Sequence, residues 1–229
     1  MKLNKTEFLN NCTYEVESKN TYNVITNNEW YKRIPYSGEI TIKLVHRDNE
    51  TNKNTTVCKV TITKIISSFF EIEEYLDYDM AKAMSSMGNG LKEVAETLGL
   101  FDEDIESEFY KKYESEFHNM FCSLEYGNLY VVTGFEFNKA FRGKRIGNII
   151  VEDLPDLIFK ETGDDMPTIA VLSYPYSYKD KDKETLDKWH KRLYKFYSSC
   201  KNDLIEITPN VFYYSPTAHV YNDRRLITE

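Results

Sequence analysis

The sequence predicts an α/β fold in which a mixed sheet is flanked by helices. Within residues 128–214, strand-like and helix-like segments alternate along the chain, which is typical of an α/β layer. No internal repeat and no linker rich in proline, glycine or serine divides the 229 residues. We therefore expect a single domain that covers residues 1–229.

Composition supports a packed protein. Hydrophobic residues make up 41% of the chain and aromatic residues 14%, which is more apolar surface than a disordered chain carries. A run of about eighteen apolar residues is absent, and the first fifteen residues lack the apolar centre of a signal peptide. We expect a cytoplasmic protein that does not bind membranes.

The first part of the chain predicts a polar lead-in followed by a hairpin. Residues 1–35 are rich in asparagine and weakly periodic, so we expect them to be loosely structured. Apolar residues alternate in "GEITIKLVH" (38–46) and in "TVCKVTITKII" (56–66), which predicts two strands. The polar residues between them favour a hairpin connection.

Residues 70–120 predict an acidic helical insertion. Leu91, Val94 and Leu98 share one helix face, and apolar residues recur at every fourth position from 105 to 121, so we expect two or three helices. The segment has fourteen acidic residues against four lysines, a charge of −10 that leaves +2 for the rest of the chain. A protein without a broad basic face is poorly suited to nucleic-acid binding. The acidic residues either form a solvated face or attract a cationic acceptor.

Residues 128–214 predict the core of the fold through buried apolar runs and helical stripes. The predicted strands cover 128–137, 167–174 and two short segments within 203–214, and the predicted helices cover 146–158, where Pro155 indicates a kink or a break, and 183–199.

The stretch "NKAFRGKRIGNII" (138–150) places three cations, Arg142, Lys144 and Arg145, between a strand and a helix. The first N–H groups of a helix lack internal partners and the helix dipole favours negative charge there, so this loop is suited to binding a phosphate. A glycine-containing turn whose cations face water is an equally weighted interpretation. The Walker A and GxGxxG patterns are both absent.

The same stretch resembles the acyl-CoA pyrophosphate loop of the GCN5-related N-acetyltransferase family. That loop has Arg or Gln, two residues, Gly, any residue, then Gly or Ala. Arg142 matches the first position and Gly147 the last, whereas Arg145 replaces the middle Gly. The resemblance implies that acetyl-CoA contacts this loop and the strand before it, through Phe135, Phe137, Arg142, Gly143, Lys144, Arg145, Ile146, Gly147 and Asn148.

A second stretch, "HKRLYKFYSSC" (190–200), is similar to a later helix of that family, in which Asn is followed by Ala three residues on and Tyr seven residues on. Tyr197 falls on the Tyr, His190 replaces the Asn and Leu193 replaces the Ala. The resemblance implies that Tyr197 is the acid that serves the departing CoA thiolate, with Tyr194 as the substitute. His190 is a cofactor contact, a base or a core residue.

The resemblance covers residues 128–214 and implies an N-acetyltransferase that uses acetyl-CoA as cosubstrate. The acetyl group would pass by direct attack, in a ternary complex, to a small-molecule amine or to a lysine or N-terminal amine of a protein. Two alternatives stay open: a catalytically inactive binding protein of the same fold, or an interaction protein whose acidic helices bind a basic partner.

Other candidate groups are weaker. Glu136 and Glu125 lie near the strand that precedes the loop, and either is a candidate general base that the sequence cannot separate from solvated carboxylates. The four cysteines and four histidines are scattered, so their spacing predicts neither a redox pair nor a metal site.

Overall fold

The computed structural model describes residues 5–21, 37–65, 80–97, 128–142, 146–165, 167–176, 181–200 and 204–214. Its strands are β1 (Cys12–Thr21), β2 (Ser37–Arg47), β3 (Asn54–Ile65), β4 (Leu129–Phe137), β5 (Thr168–Leu172), β6 (Ile205–Thr208) and β7 (Val211–Tyr214). Its helices are α1 (Lys5–Asn10), α2 (Met80–Met87), α3 (Asn89–Thr97), α4 (Ile146–Thr162) and α5 (Lys183–Tyr197), with a short 3-10 turn at Lys139–Phe141.

The strands form one seven-stranded sheet in the order β1-β2-β3-β4-β5-β7-β6. β4 and β5 are parallel, and the other neighbouring pairs are antiparallel. Parallel neighbours need a crossover connection, and α4 supplies it between β4 and β5. The predicted α/β class, with a mixed sheet and flanking helices, is confirmed.

Side-chain alternation along β4 separates two cores on opposite faces of the sheet. Tyr130 and Val132 pack with apolar residues of α4 and α5, whereas Leu129 and Val131 pack with α2 and α3. We call these the α5 face and the α3 face. Successive side chains of a strand point to opposite faces, so a fully buried run such as β4 requires helices on both sides.

The expectation that residues 1–35 are loosely structured is wrong for 5–21, which form α1 and β1. β1 pairs with β2 along its whole length, from Cys12↔His46 to Thr21↔Ser37. The pattern was weak because β1 is an edge strand with few apolar residues on its inner side. The Tyr14 hydroxyl donates a hydrogen bond of 2.6 Å to Asp153 Oδ2, which ties this edge to α4.

Of the two effects expected of Pro155, a kink or a break, the break is wrong, because α4 runs continuously through this residue. Proline inside a helix costs about 3 kcal/mol. Leu154, Leu157 and Ile158 flank it and are buried against the sheet, and each such side chain contributes about 1.5–3 kcal/mol. Burial therefore outweighs the local penalty.

The acidic insertion is described only over 80–97, where α3 confirms the helix predicted from Leu91 and Val94, and α2, which no pattern predicted, precedes it. The apolar repeat from 105 to 121 and most of the acidic residues lie outside the described residues. Within the described part of the chain, no helix is long and apolar enough to span a bilayer.

Candidate active-site cleft

The candidate site lies where β4 and β5 separate. Their parallel pairing runs from Leu129↔Thr168 to Val132↔Val171. Beyond it, β4 continues to Phe137 and, among the described strands, pairs only with β3. Ligands of α/β sheets bind in the crevice outside the carboxyl ends of parallel strands. The gap between the two strand ends is such a crevice.

The open half of β4 turns backbone groups toward this gap. Phe137 is opposite Cys58, and the neighbouring Asn138 N–H donates to the Val57 carbonyl at 2.9 Å. Phe137 and Cys58 are therefore a non-hydrogen-bonded antiparallel pair. Phe135 and Val60, two residues away on each strand, form another such pair. The N–H and C=O groups of Phe135 and Phe137 consequently point away from β3, toward the gap.

A cleft of about 50 Å³ occupies the gap. Residues from both faces of the sheet line it, with Leu193 and Tyr197 supplied by α5 and Leu172 lying on the α3 face. Its volume suits a few atoms rather than a whole nucleotide. The full lining is Val132, Thr133, Gly134, Phe135, Leu172, Tyr174, Pro175, Tyr176, Leu193 and Tyr197.

The two candidate tyrosines of α5 differ in environment. The Tyr194 hydroxyl donates a 2.8 Å hydrogen bond to Glu206 Oε2 at the surface. Tyr197 lines the cleft and is only 2% exposed. Burial raises the pKa of the Tyr197 hydroxyl, with smaller contributions from the Cys200 and Cys58 thiols. Tyr197 therefore keeps its proton at neutral pH, and it is better placed than Tyr194 to donate it within the cleft.

Three phenylalanines form the wall between the cleft and α4. The Phe135 ring lies 5.3 Å from Phe196 and 6.4 Å from Phe137, measured between centroids. Phe196 also reaches Gly147, where an added Cβ would lie 3.0 Å from its Cε2 atom. Contacts that close favour glycine at 147, because a side chain there would have to displace the Phe196 ring by a few tenths of an ångström. Ring packing therefore explains Gly147 without reference to a phosphate.

Only part of the expected pyrophosphate loop is described. Gly143, Lys144 and Arg145 lie outside the described residues. Arg142 is exposed, and its Nε donates to the Phe137 carbonyl at 3.2 Å. Ile146 begins α4 with its side chain buried, so only its backbone is available to a ligand. Asn148 Nδ2 donates to the Ser199 carbonyl at 3.1 Å, which links α4 to the end of α5.

His190 lies behind the cleft wall rather than at the loop. Its Nε2 donates to the Pro209 carbonyl at 3.0 Å, and its ring meets the edge of Tyr174 at 5.5 Å. α5 lines the cleft through Leu193 and Tyr197 instead. The observed contacts give His190 a positioning role for Tyr174.

The structure brings one unpredicted carboxylate next to Tyr176, which lines the cleft. Glu93 of α3 accepts a 3.0 Å hydrogen bond from Asn210 Nδ2. It also lies beside Tyr176, whose pKa is raised by burial and then by its hydrogen bond with Glu93. No sequence signal separated Glu93 from the other acids, since both partners are distant along the chain.

The candidate bases named from the sequence are placed differently. Glu136 is exposed and lies opposite Lys59 in the β3–β4 register. Its neighbours Phe135 and Phe137 pack toward the α5 face, so Glu136 lies on the opposite side of β4. Glu125 lies outside the described residues.

The thiols near the site are unreactive at neutral pH. Burial raises the pKa of Cys12 to about 11 and that of Cys58 and Cys200 to about 12. A thiol is nucleophilic only as its thiolate, so a covalent acyl-cysteine intermediate is disfavoured at these positions. In the described part of the chain, no group of histidine, cysteine and acidic side chains is arranged to hold a metal ion.

Comparison with protein-family models, with curated proteins and with solved structures finds no match to this chain.

Proposed function

We propose that this protein is an N-acetyltransferase that transfers the acetyl group of acetyl-CoA directly to an amine. One observation carries the proposal: the backbone of Phe135, which among the described strands pairs only toward β3, and the buried Tyr197 meet at one small cleft between diverging parallel strands. The resemblance of residues 138–150 and 190–200 to the N-acetyltransferase family favours the same assignment.

The thioester carbonyl would be polarised by the open half of β4. An N–H group that points into the gap can donate a hydrogen bond to the oxygen that becomes negative during attack. Phe135 lines the cleft and has its N–H on that side. Because this group belongs to a strand paired with β3, it is fixed before substrate arrives.

The leaving group would be served by Tyr197. Attack by a neutral amine forms the C–N bond, the C–S bond breaks, and the electron pair stays on sulfur. The amine nitrogen loses one proton and the thiolate gains one, which gives an amide and CoA thiol. A buried phenol with a raised pKa stays protonated and donates a hydrogen bond to the thiolate as it forms. The same dry surroundings raise the pKa of the thiol, which favours its protonation.

The pyrophosphate would bind at the start of α4. The first N–H groups of this helix lack intrahelical partners, and its dipole attracts negative charge. Arg142 precedes this helix by four residues along the chain and has an exposed side chain. The Phe135 and Phe196 rings lie between this end and Tyr197, and they offer an apolar surface to the pantetheine arm.

Calorimetric titration with acetyl-CoA tests the proposal. Micromolar affinity corresponds to about −8 kcal/mol and is readily measured. Arg142→Glu should weaken binding by about tenfold or more, because it replaces an attractive charge by a repulsive one. Arg192→Glu is the matched control, since Arg192 is exposed on α5 and the charge change is the same.

Two results would contradict the proposal. A folded wild-type protein that does not bind acetyl-CoA excludes it. Equal weakening by both variants would show that overall charge, rather than the start of α4, controls binding.

A further inference from the structure

A polar cluster borders the cleft on the α3 face. It consists of Tyr176, which follows β5 and lines the cleft, of Glu93 of α3, which lies beside Tyr176, and of Asn210 in the β6–β7 turn. Asn210 Nδ2 donates a 3.0 Å hydrogen bond to Glu93 Oε1 and so fixes the position of the carboxylate. Glu93 is half-buried. Among the described residues, Lys92 forms an ion pair with Glu96 at 3.3 Å, and no lysine, arginine or histidine forms one with Glu93. Among the described contacts of Glu93 the hydrogen-bond donors are neutral, so the charge of this carboxylate can attract a cationic ligand.

An aromatic wall stands beside this carboxylate. Tyr174 and Tyr176 both line the cleft, with ring centroids 4.8 Å apart and planes inclined by 52°. The His190 ring packs edge-on with the Tyr174 ring, with 5.5 Å between their centroids. Two ring faces that meet at an angle form a surface that attracts an ammonium group and the methylene groups next to it.

α3 is held against this wall by a close contact. A Cβ added to Gly90 would lie 2.9 Å from Leu172 Cδ1 and 3.4 Å from Tyr176 Cβ. Leu172 and Tyr176 are themselves cleft residues. The absence of a side chain at 90 therefore lets the helix bring Glu93 to within reach of the Tyr176 hydroxyl.

We infer that this side of the cleft is the acceptor site and that it takes an unbranched alkylammonium group, with Glu93 meeting its charge and Tyr174 and Tyr176 its methylene groups. The inference rests on the proposed function and adds the class of acceptor and its point of entry, the α3 face. A free polyamine and a lysine side chain present this same chemistry, and in both the nitrogen held by Glu93 must pass one proton to that carboxylate before it attacks the thioester as a neutral amine. An arylamine does not, because it is neutral at physiological pH and has no alkyl stem.

Direct binding of two probes tests the inference. Ligand-observed NMR with 1,4-diaminobutane and with a tripeptide that carries one central lysine measures affinity without acetyl-CoA. Glu93→Gln keeps an oxygen that accepts from Asn210 but removes the charge. We expect binding of both probes to weaken by about tenfold or more, because a hydrogen bond to a charged group is stronger than a neutral one. Glu96→Gln, one turn further along α3, should change binding less than about twofold.

The outcomes separate this inference from the proposed function. Saturable binding that Glu93→Gln loses and Glu96→Gln keeps supports the acceptor site, and the tighter of the two probes identifies the source of the amine. Absence of saturable binding by the wild type, or equal binding by Glu93→Gln, overturns the inference whatever the acetyl-CoA titration gives. If the wild-type protein binds the amines but not acetyl-CoA, only the proposed acetyl-CoA site is overturned.

A rate measurement then checks specificity. With acetyl-CoA saturating, Glu93→Gln should raise the KM for 1,4-diaminobutane by about tenfold, whereas Glu96→Gln should change that KM by less than about twofold. A purely structural role for Glu93 predicts a loss of folded protein and of acetyl-CoA binding along with the rise in KM.

Discussion

The two halves of β4 share one strand but have different surroundings. From Leu129 to Val132 the strand pairs on both sides and is buried, and the Tyr130 hydroxyl donates to Asp164 Oδ2 at 2.8 Å. From Thr133 to Phe137 it pairs on one side among the described strands and is partly exposed. The closed half supports the fold, and the open half offers backbone groups and rings to a ligand.

The difference separates the part of β4 that stabilises the fold from the part that we propose binds acetyl-CoA. An unpaired backbone group is tolerated only where solvent or a ligand can satisfy it. The cleft provides that, because β5 ends at Leu172 and the chain then turns away through Tyr174 and Tyr176. Variants in the two halves should therefore affect different quantities.

The largest expected effect comes from the closed half. Leu129→Ala should lower the free energy of unfolding by about 2–5 kcal/mol, because Leu129 is fully buried and its removal leaves a cavity. Urea unfolding followed by circular dichroism measures it. Phe135→Ala in the open half should cost less than half as much and should instead weaken acetyl-CoA binding. Equal destabilisation by the two variants would remove the distinction between the halves.

The next largest effect is expected at Tyr197 of α5, which lines the cleft beside the open half of β4. Tyr197→Phe should lower kcat by about 100-fold, or about 2.7 kcal/mol, while leaving the KM for acetyl-CoA nearly unchanged. Release of CoA thiol gives the rate. Tyr194→Phe is the control on the same helix, since its hydroxyl bonds Glu206 at the surface, and it should keep kcat within about twofold. Similar losses in both variants would contradict a specific role for Tyr197.

A smaller effect is expected where α4 meets the wall of the open half. Gly147→Ala should destabilise by about 1–3 kcal/mol, because the new methyl group would lie 3.0 Å from the Phe196 ring. Adding Phe196→Leu should recover part of this loss in a double-mutant cycle followed by thermal unfolding. Strict additivity of the two changes would show that Phe196 is not the obstacle.

The smallest effect concerns the start of α5, which carries Tyr197. The Asp182 carboxylate accepts from the Thr185 N–H at 2.9 Å, and these hydrogen bonds hold the pKa of Asp182 below its ordinary value of 3.8. The cap therefore stabilises above pH 3.8 and is lost as pH falls through the lower, folded-state pKa.

Asp182→Ala should thus lower Tm slightly at neutral pH, and the gap from wild type should close in strong acid. Asp187→Ala, within the same helix, is the control. A gap that does not change with pH would mean that the carboxylate charge is not what caps the helix.

Much of this fold follows from local pattern, and the failures have physical causes. β2 and β3 were predictable because their apolar residues alternate over long stretches. β1 was missed because an edge strand buries only one side of a few residues. The continuity of α4 through Pro155 depends on tertiary burial, which no local rule for proline contains.

The sequence predicted only those residues of the candidate site that lie within short continuous stretches of the chain. Phe135, Phe137 and Tyr197 were found through short stretches, and they do lie on the predicted strand and helix. Glu93 was missed because its contact with Asn210 joins residues 117 positions apart. The packing reason for Gly147 was hidden in the same way, since Phe196 belongs to another helix.

The position of β7 has a consequence for synthesis of the chain. β7 lies between β5 and β6, although it is the last described strand to be made. The ribosome must therefore release the chain up to Tyr214 before β5 gains its second neighbour. A product terminated before β7 would lack an interior strand and the buried Phe212, which packs against Tyr197, and we expect it to be degraded rather than to persist.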